Sequence, residues 1–265
     1  MAEVKHARVL PYRELGSEEG EAVVFLHGFP ESSRMWEPAM YELARAGRRC
    51  IAPDLYGLGD SGDDAPTTFE GVLEAFTEFM DELELDRVAL VVHDWGGFIG
   101  LAWACDHPDR VSALVISSTG FFSDGKWHGM ADAIRGPDGD AVVGALDRKG
   151  FKALLKSFGE AFDEDDISAY WAPFADDGRG QRATLDFYRS MDFEKLEPWQ
   201  GKLAEIGAPT LILWGADDPF APLAGAKRLQ SEIPGSKLVA LDGVSHFVFD
   251  EDIERSTEEV RSFLA

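Results

Sequence analysis

A chain of 265 residues has room for one large domain or for a core carrying a smaller insertion. Its 49 acidic and 25 basic side chains leave a formal charge of −24, which argues against nucleic acid or anionic membrane as a partner, since both need a basic surface. Two cysteines, Cys50 and Cys105, are too few for a disulfide framework and read as buried free thiols.

The first twenty residues are charged and lack the apolar core of a signal peptide, and no run approaches the roughly 20 apolar residues of a membrane span, so the expectation is a soluble cytoplasmic protein. Ala22-Val-Val-Phe-Leu26 reads as a short buried strand that ends in His27-Gly-Phe-Pro30, a loop at a sheet edge. Trp36 to Ala46 has helical spacing, and Arg49-Cys-Ile-Ala52 is the next strand. The glycine-rich loop Asp54 to Gly62 has no Lys-Ser/Thr pair and so fails the phosphate-loop pattern. Phe69 to Leu85 is an amphipathic helix with Val72, Phe76, Phe79, Met80 and Leu83 on one face.

The stretch Val88-Ala-Leu-Val-Val-His-Asp-Trp-Gly-Gly-Phe-Ile-Gly100 carries the strongest signal. Five apolar residues form a buried strand, and glycines then let a helix start tightly against it. That is the setting of a nucleophile elbow, which lifts one side chain to the carboxyl edge of a sheet, where ligands bind. Here that side chain is Asp94. Further strands are expected at Val111–Ile116, Thr210–Trp214 and Leu238–Leu241. Alternating strands and helices imply a mostly parallel α/β sheet of about eight strands with helices on both faces. The rhythm breaks once. Residues 120–208 show no strand pattern and read as a helical cap inserted into a core made of 1–119 and 209–265.

Two later loops complete a chain order of nucleophile, acid and histidine. Leu211-Ile-Leu-Trp-Gly-Ala-Asp-Asp-Pro219 offers Asp217 and Asp218 as the acid, and Gly243-Val-Ser-His246 offers His246 as the base. Each follows a strand, so all can meet at one sheet edge. A carboxylate nucleophile forms an ester with the enzyme, and His246 would activate water against it. No metal-ligand cluster or dinucleotide fingerprint is present, so no metal or cofactor is expected.

On these residues the chain resembles the α/β-hydrolase superfamily over nearly its whole length. The resemblance implies that Asp94 is the nucleophile, that Asp218 is the acid of the Gly-x-x-Asp turn, and that the backbone N–H groups of Phe29 and Trp95 form an oxyanion hole. Val92 stands where the usual elbow has a small residue. An Asp nucleophile on this fold resembles haloalkane dehalogenases first and epoxide hydrolases next. For the dehalogenase, the elbow, Ser118-Thr-Gly-Phe-Phe122 and Ser168-Ala-Tyr-Trp-Ala-Pro-Phe174 are similar, and Trp95 with Trp127 would donate indole N–H groups to the halide. For the epoxide hydrolase, Phe29 in place of a halide-binding Asn, Pro30-Glu-Ser-Ser33 and Asp186-Phe-Tyr-Arg189 are similar, with Tyr188 as ring-opening acid and His128 as its partner. Which of Trp127, His128, Tyr170 and Tyr188 assists the leaving group stays open at this point. The expected partner is a small apolar organic substrate, and the expected assembly a monomer or homodimer. A catalytically silent ligand-binding protein of the same fold is the alternative from another class, which the presence of Asp94, Asp218 and His246 together argues against.

Overall fold

The computed structural model describes residues 2–62, 64–175 and 178–265; Met1, Asp63 and the two residues Asp176 and Asp177 of the 120–208 segment lie outside the described residues. Eight strands form one sheet: β1 (Glu3–His6), β2 (Pro11–Leu15), β3 (Ala22–Leu26), β4 (Arg49–Pro53), β5 (Val88–His93), β6 (Val111–Ser117), β7 (Thr210–Gly215) and β8 (Lys237–Leu241). Their order is β1-β2-β4-β3-β5-β6-β7-β8. The pairs β1–β2 and β2–β4 are antiparallel, and every other neighbouring pair is parallel. The elbow strand β5 therefore lies inside the sheet, and all six of its residues are buried. Such continuous burial is what helices on both faces of a parallel sheet require.

The helices are α1 (Glu37–Arg45), α2 (Phe69–Glu82), α3 (Trp95–Asp106), α4 (Gly129–Arg135), α5 (Gly139–Gly144), α6 (Arg148–Lys156), α7 (Glu164–Ala175), α8 (Arg179–Ser190), α9 (Leu223–Glu232), α10 (Val248–Glu251) and α11 (Ile253–Phe263). Strand alternation sorts the apolar side chains into two layers. Val24, Leu26, Leu90, Val92, Leu114 and Ile116 pack with Val72 and Phe76 of α2 and Ile99 of α3. Val23, Phe25, Val91, Val115 and Leu213 pack with Met40 of α1 and Val260 of α11. Thr68 caps α2 by accepting the Gly71 N–H on its side chain, and Val72, Phe76, Phe79 and Met80 are buried, as their helical spacing predicts. Helix α3 is buried all round from Trp95 to Cys105, so it behaves as a core element.

Between β6 and β7 the described residues hold α4 to α8 and two short 3-10 turns, with no strand. This helical stretch is tied down to the elements beneath it. Asp166 of α7 pairs with Arg34 at 3.0 Å, Asp186 of α8 accepts from Thr67 at 2.7 Å, and Ser190 accepts the Phe69 N–H at 2.9 Å. Cys50 and Cys105 are free and buried. No helix among the described residues is long and apolar enough to cross a membrane.

Candidate active site

The sheet edge is set by the turn after β5. Asp94 has φ +46° and ψ −119°, a backbone state that non-glycine residues rarely adopt. Several hydrogen bonds hold it there. The Asp94 N–H donates to Ser117 O at 3.2 Å, and Asp94 O accepts from Gly97 N at 2.9 Å and from Thr119 Oγ1 at 2.7 Å. The Tyr56 hydroxyl adds a bond to Trp95 O at 2.5 Å. The tight turn forms in spite of Val92, because Gly100 faces it. A Cβ at residue 100 would stand 2.5 Å from Val92 Cγ1, so the glycine leaves the room that the valine takes.

The loop after β3 closes over this turn. His27 is fully buried and locks it: its Nε2 accepts the Leu55 N–H at 2.9 Å, which leaves Nδ1 to donate to Gly28 O at 2.8 Å. Burial holds the His27 imidazole below its ordinary pKa, so the neutral ring fits this bonding. A Cβ on Gly28 would lie 2.4 Å from Asp94 Cβ, so only glycine lets the loop approach. The result is that Phe29 N–H donates to Asp94 Oδ2 at 2.9 Å, and the Trp95 N–H at the start of α3 also favours the charged form of that carboxyl group. The two N–H groups expected to form an oxyanion hole thus converge on the Asp94 carboxylate itself.

His246 reaches the same edge from the loop after β8. Its Nε2 lies 3.8 Å from Asp94 Oδ1 and its Nδ1 lies 3.0 Å from Asp218 Oδ2. Asp218 is buried, and its other oxygen accepts the Phe220 and Ala221 N–H groups at 2.8 Å each. Asp217 is exposed, so of the two candidate acids it is Asp218 that meets His246. The His246 loop is fixed by Glu251, which accepts from Ser245 Oγ at 2.6 Å and from Phe247 N at 2.9 Å.

Charges in this pocket follow from burial and from one another. Burial raises the Asp94 carboxyl above its ordinary range, against the pull of His246 and of the Phe29 and Trp95 N–H groups. Burial would raise Asp218 too, but His246 and the two N–H groups on its carboxylate outweigh this and hold it below its ordinary value. Burial pushes His246 down, yet Asp218, Asp94 and Glu251 outweigh it and leave the imidazole above its ordinary value.

A cavity of about 300 Å³ opens over Asp94. The sheet edge gives Phe29, Asp94, Trp95 and His246 to its wall, and the helical stretch gives Trp127, His128 and Tyr188. Tyr188 is 2% exposed and stands at the centre of this group. Its ring meets Trp95 edge to face at 4.9 Å and Trp127 at 5.2 Å. Burial and the nearby Asp94 charge keep the Tyr188 phenol protonated, raising it well above its ordinary value. The Trp127 indole Nε1 is buried and has no hydrogen-bond partner among the described residues. His128 Nδ1 accepts the Ala131 N–H at 3.3 Å as the cap of α4, and its ring centre lies 6.3 Å from that of Tyr188, so the two rings are neighbours without a hydrogen bond. Tyr170 does not line the cavity. It sits against Asp250, Glu31 and Asp166 behind the sheet edge. The sequence reading missed Glu31, His93 and Asp250 as a buried group; its signals were an acid directly after His27-Gly-Phe-Pro30 and an acid four residues after His246. Among the described residues no cluster of three or more His, Cys, Asp or Glu is arranged to hold a metal ion.

A family model described as the alpha/beta hydrolase fold matches residues 21–253. Epoxide hydrolase 1 of Siraitia grosvenorii is 28% identical over 92% of this chain and 92% of its own. A haloalkane dehalogenase of Mycolicibacterium smegmatis is 29% identical over 96% of this chain and 90% of its own. The crystal structure of a haloalkane dehalogenase from Bradyrhizobium elkani superposes with a TM-score of 0.88, covering 100% of this chain and 98% of that one at 24% identity, a likeness of fold.

Proposed function

Because this chain belongs to the alpha/beta hydrolase fold family, we propose that it is a hydrolase whose nucleophile is Asp94, and that residues 120–208 serve as the cap over its site. The observation that carries this reading is the division of labour between the two Asp94 oxygens. Oδ2 is held by the Phe29 N–H, while Oδ1 lies 3.8 Å from His246 Nε2, and Asp94 and His246 both line the cavity. Attack by Oδ1 on a saturated carbon makes an ester. Water then gives a proton to His246 and adds to the ester carbon. The negative charge that develops on Oδ2 falls where the N–H groups already point. The leaving alkoxide takes the proton back from His246, and the carboxyl group is restored. Asp218 orients the imidazole and balances its charge through the 3.0 Å contact.

Between the two leaving groups, the surroundings of Tyr188 favour an epoxide oxygen. The Tyr188 phenol lines the cavity beside Asp94 and is held protonated by burial, so it has a proton to give. Ring opening would break the C–O bond as Tyr188 protonates that oxygen, and the last proton of the attacking water would restore the phenol. This reverses the order in which the sequence ranks the two readings, which puts a halide between Trp95 and Trp127 first. The haloalkane reading keeps one observation of its own, the buried and unpartnered Nε1 of Trp127 on the cavity wall. A two-substrate assay separates them: styrene oxide followed as diol, and 1-bromobutane followed as bromide. Diol without bromide supports the epoxide reading, bromide without diol the haloalkane reading, and neither product from any epoxide or haloalkane counts against the proposed chemistry.

A further inference from the structure

Behind the cavity, on the far side of His246, lies a second set of ionisable groups that the reaction above does not use. Glu31 follows the His27-Gly-Phe-Pro30 loop and is 0% exposed. Both of its carboxyl oxygens, like Oδ2 of Asp250 on α10, are buried without a hydrogen-bond donor among the described residues, and the two carboxyl groups are close enough to share a hydrogen. An ionised carboxylate can only accept a hydrogen bond, so two carboxyl groups in such contact need a proton between them. On its other side Glu31 Oε2 stands 3.5 Å from His93 Nε2, and the His93 ring centre is 5.1 Å from that of His246. Asp250, Glu31, His93 and His246 are thus successive neighbours from α10 to the proposed base, in contact but not in a hydrogen-bonded chain, since neither His93 nitrogen has a hydrogen-bond partner among the described residues.

We propose that Glu31 and Asp250 hold one shared proton and act as a positioning pair, presenting a single negative charge behind His93 that favours proton uptake by His246. The role of the charge rests on the reading of His246 as the water-activating base; the shared proton does not.

The surroundings of the pair agree with one charge. Burial, then Asp250, raises the Glu31 carboxyl well above its ordinary value, while the Gly28 N–H pulls the other way. Burial raises Asp250 to about 7, with Asp166 and Glu251 adding to the rise and the Glu31 contact opposing it. Burial and the neighbouring His246 keep His93 neutral, far below its ordinary value, so it does not neutralise Glu31. Arg34, on the same loop, directs its Nε to Asp166 at 3.0 Å. Tyr170 faces the pair from α7 and stays protonated, because burial and then Asp250 and Glu31 raise it well above its ordinary value. Asp94 adds its own charge from the elbow, and Glu251 is bonded to the Ser245 and Phe247 N–H groups.

A substrate-free titration tests this. Imidazole signals of His246 and His93 are followed by NMR from acid to alkaline pH in the wild type, in Glu31→Gln, in Asp250→Asn and in the double variant. In the wild type the His246 signals should report, besides their own titration, a second ionisation as the pair loses its proton. That second step should vanish in each single variant, because an amide can donate permanently to the remaining carboxylate. The double variant, which has no charge there, should lower the His246 pKa by about one unit, a tenfold change in its protonation equilibrium. An unchanged His246 titration in the double variant, or both carboxyl groups ionised at neutral pH by carbon-13 shifts, would overturn the proposal. Three variants guard against one failing to fold. No substrate enters the titration, so absent turnover would count against the proposed reaction and not against the pair.

Discussion

The amide N–H of Phe29 donates to Asp94 Oδ2 at 2.9 Å, across a gap that only Gly28 can leave open. This contact turns a flexible carboxylate into one with a held oxygen and a free one. Replacing Gly28 with Ala would drive a Cβ to 2.4 Å from Asp94 Cβ. The loop must then move away, at a cost of about 1–3 kcal/mol from overpacking. A melting temperature lowered by several degrees, with activity lost far out of proportion, is the expected outcome by calorimetry and steady-state assay.

Asp94→Asn should separate chemistry from folding. Asparagine tolerates positive φ, so the elbow should persist, and removal of a largely buried charge should leave the melting temperature equal or higher. Turnover should fall on the order of 10⁴-fold or more, as loss of a nucleophile does elsewhere. A variant retaining more than a tenth of wild-type activity would remove Asp94 from its role.

Tyr188→Phe and Trp127→Phe divide the two leaving groups. Under the epoxide reading, Tyr188→Phe should lower diol formation by about 10²–10³-fold, typical of a lost proton donor or oxyanion contact, while Trp127→Phe changes it little. Under the haloalkane reading the larger loss should fall on Trp127→Phe, measured as bromide release.

The pH dependence of the two half-reactions should differ. Asp94 must be ionised to attack, and burial raises it from the ordinary 3.8, so the first step should fail only in acid, from somewhat above that value downward. His246 must be neutral to take a proton, and its pKa is raised from 6.5, so ester hydrolysis should rise with pH through a point above 6.5. In the window between, the wild type itself should accumulate the ester. Rapid-quench measurement of bound substrate against pH checks the sign: more adduct at mildly acidic pH than at neutral pH.

The parts of this fold legible in the sequence are those fixed by local pattern. β3, β5, β6 and β7 are runs of apolar residues buried on both faces, and their limits were read to within one residue. β1 and β2 were not read, because Glu3–His6 and Pro11–Leu15 are short, polar edge strands whose pairing is decided by β4 and not by their own periodicity. Asp94, Asp218 and His246 were named because each follows a strand, and strand ends share an edge. The choice between Asp217 and Asp218 needed side-chain direction, and the place of Tyr170 needed the packing of α7 against Glu31 and Asp250. Glu31 and Asp250 are 219 positions apart in sequence, by 250 − 31; each stands beside a loop of the site, but only the folded chain brings the two together.

Trapping of the ester tests the central claim most directly. His246→Ala keeps Asp94 and its N–H contacts but removes the group that activates water. Incubated with a substrate that the wild type turns over, it should gain mass on a single peptide containing Asp94. The gain should equal the whole substrate for an epoxide, or the alkyl group less one hydrogen for a haloalkane. An unmodified variant protein, or an adduct on any other residue, would contradict covalent catalysis by Asp94.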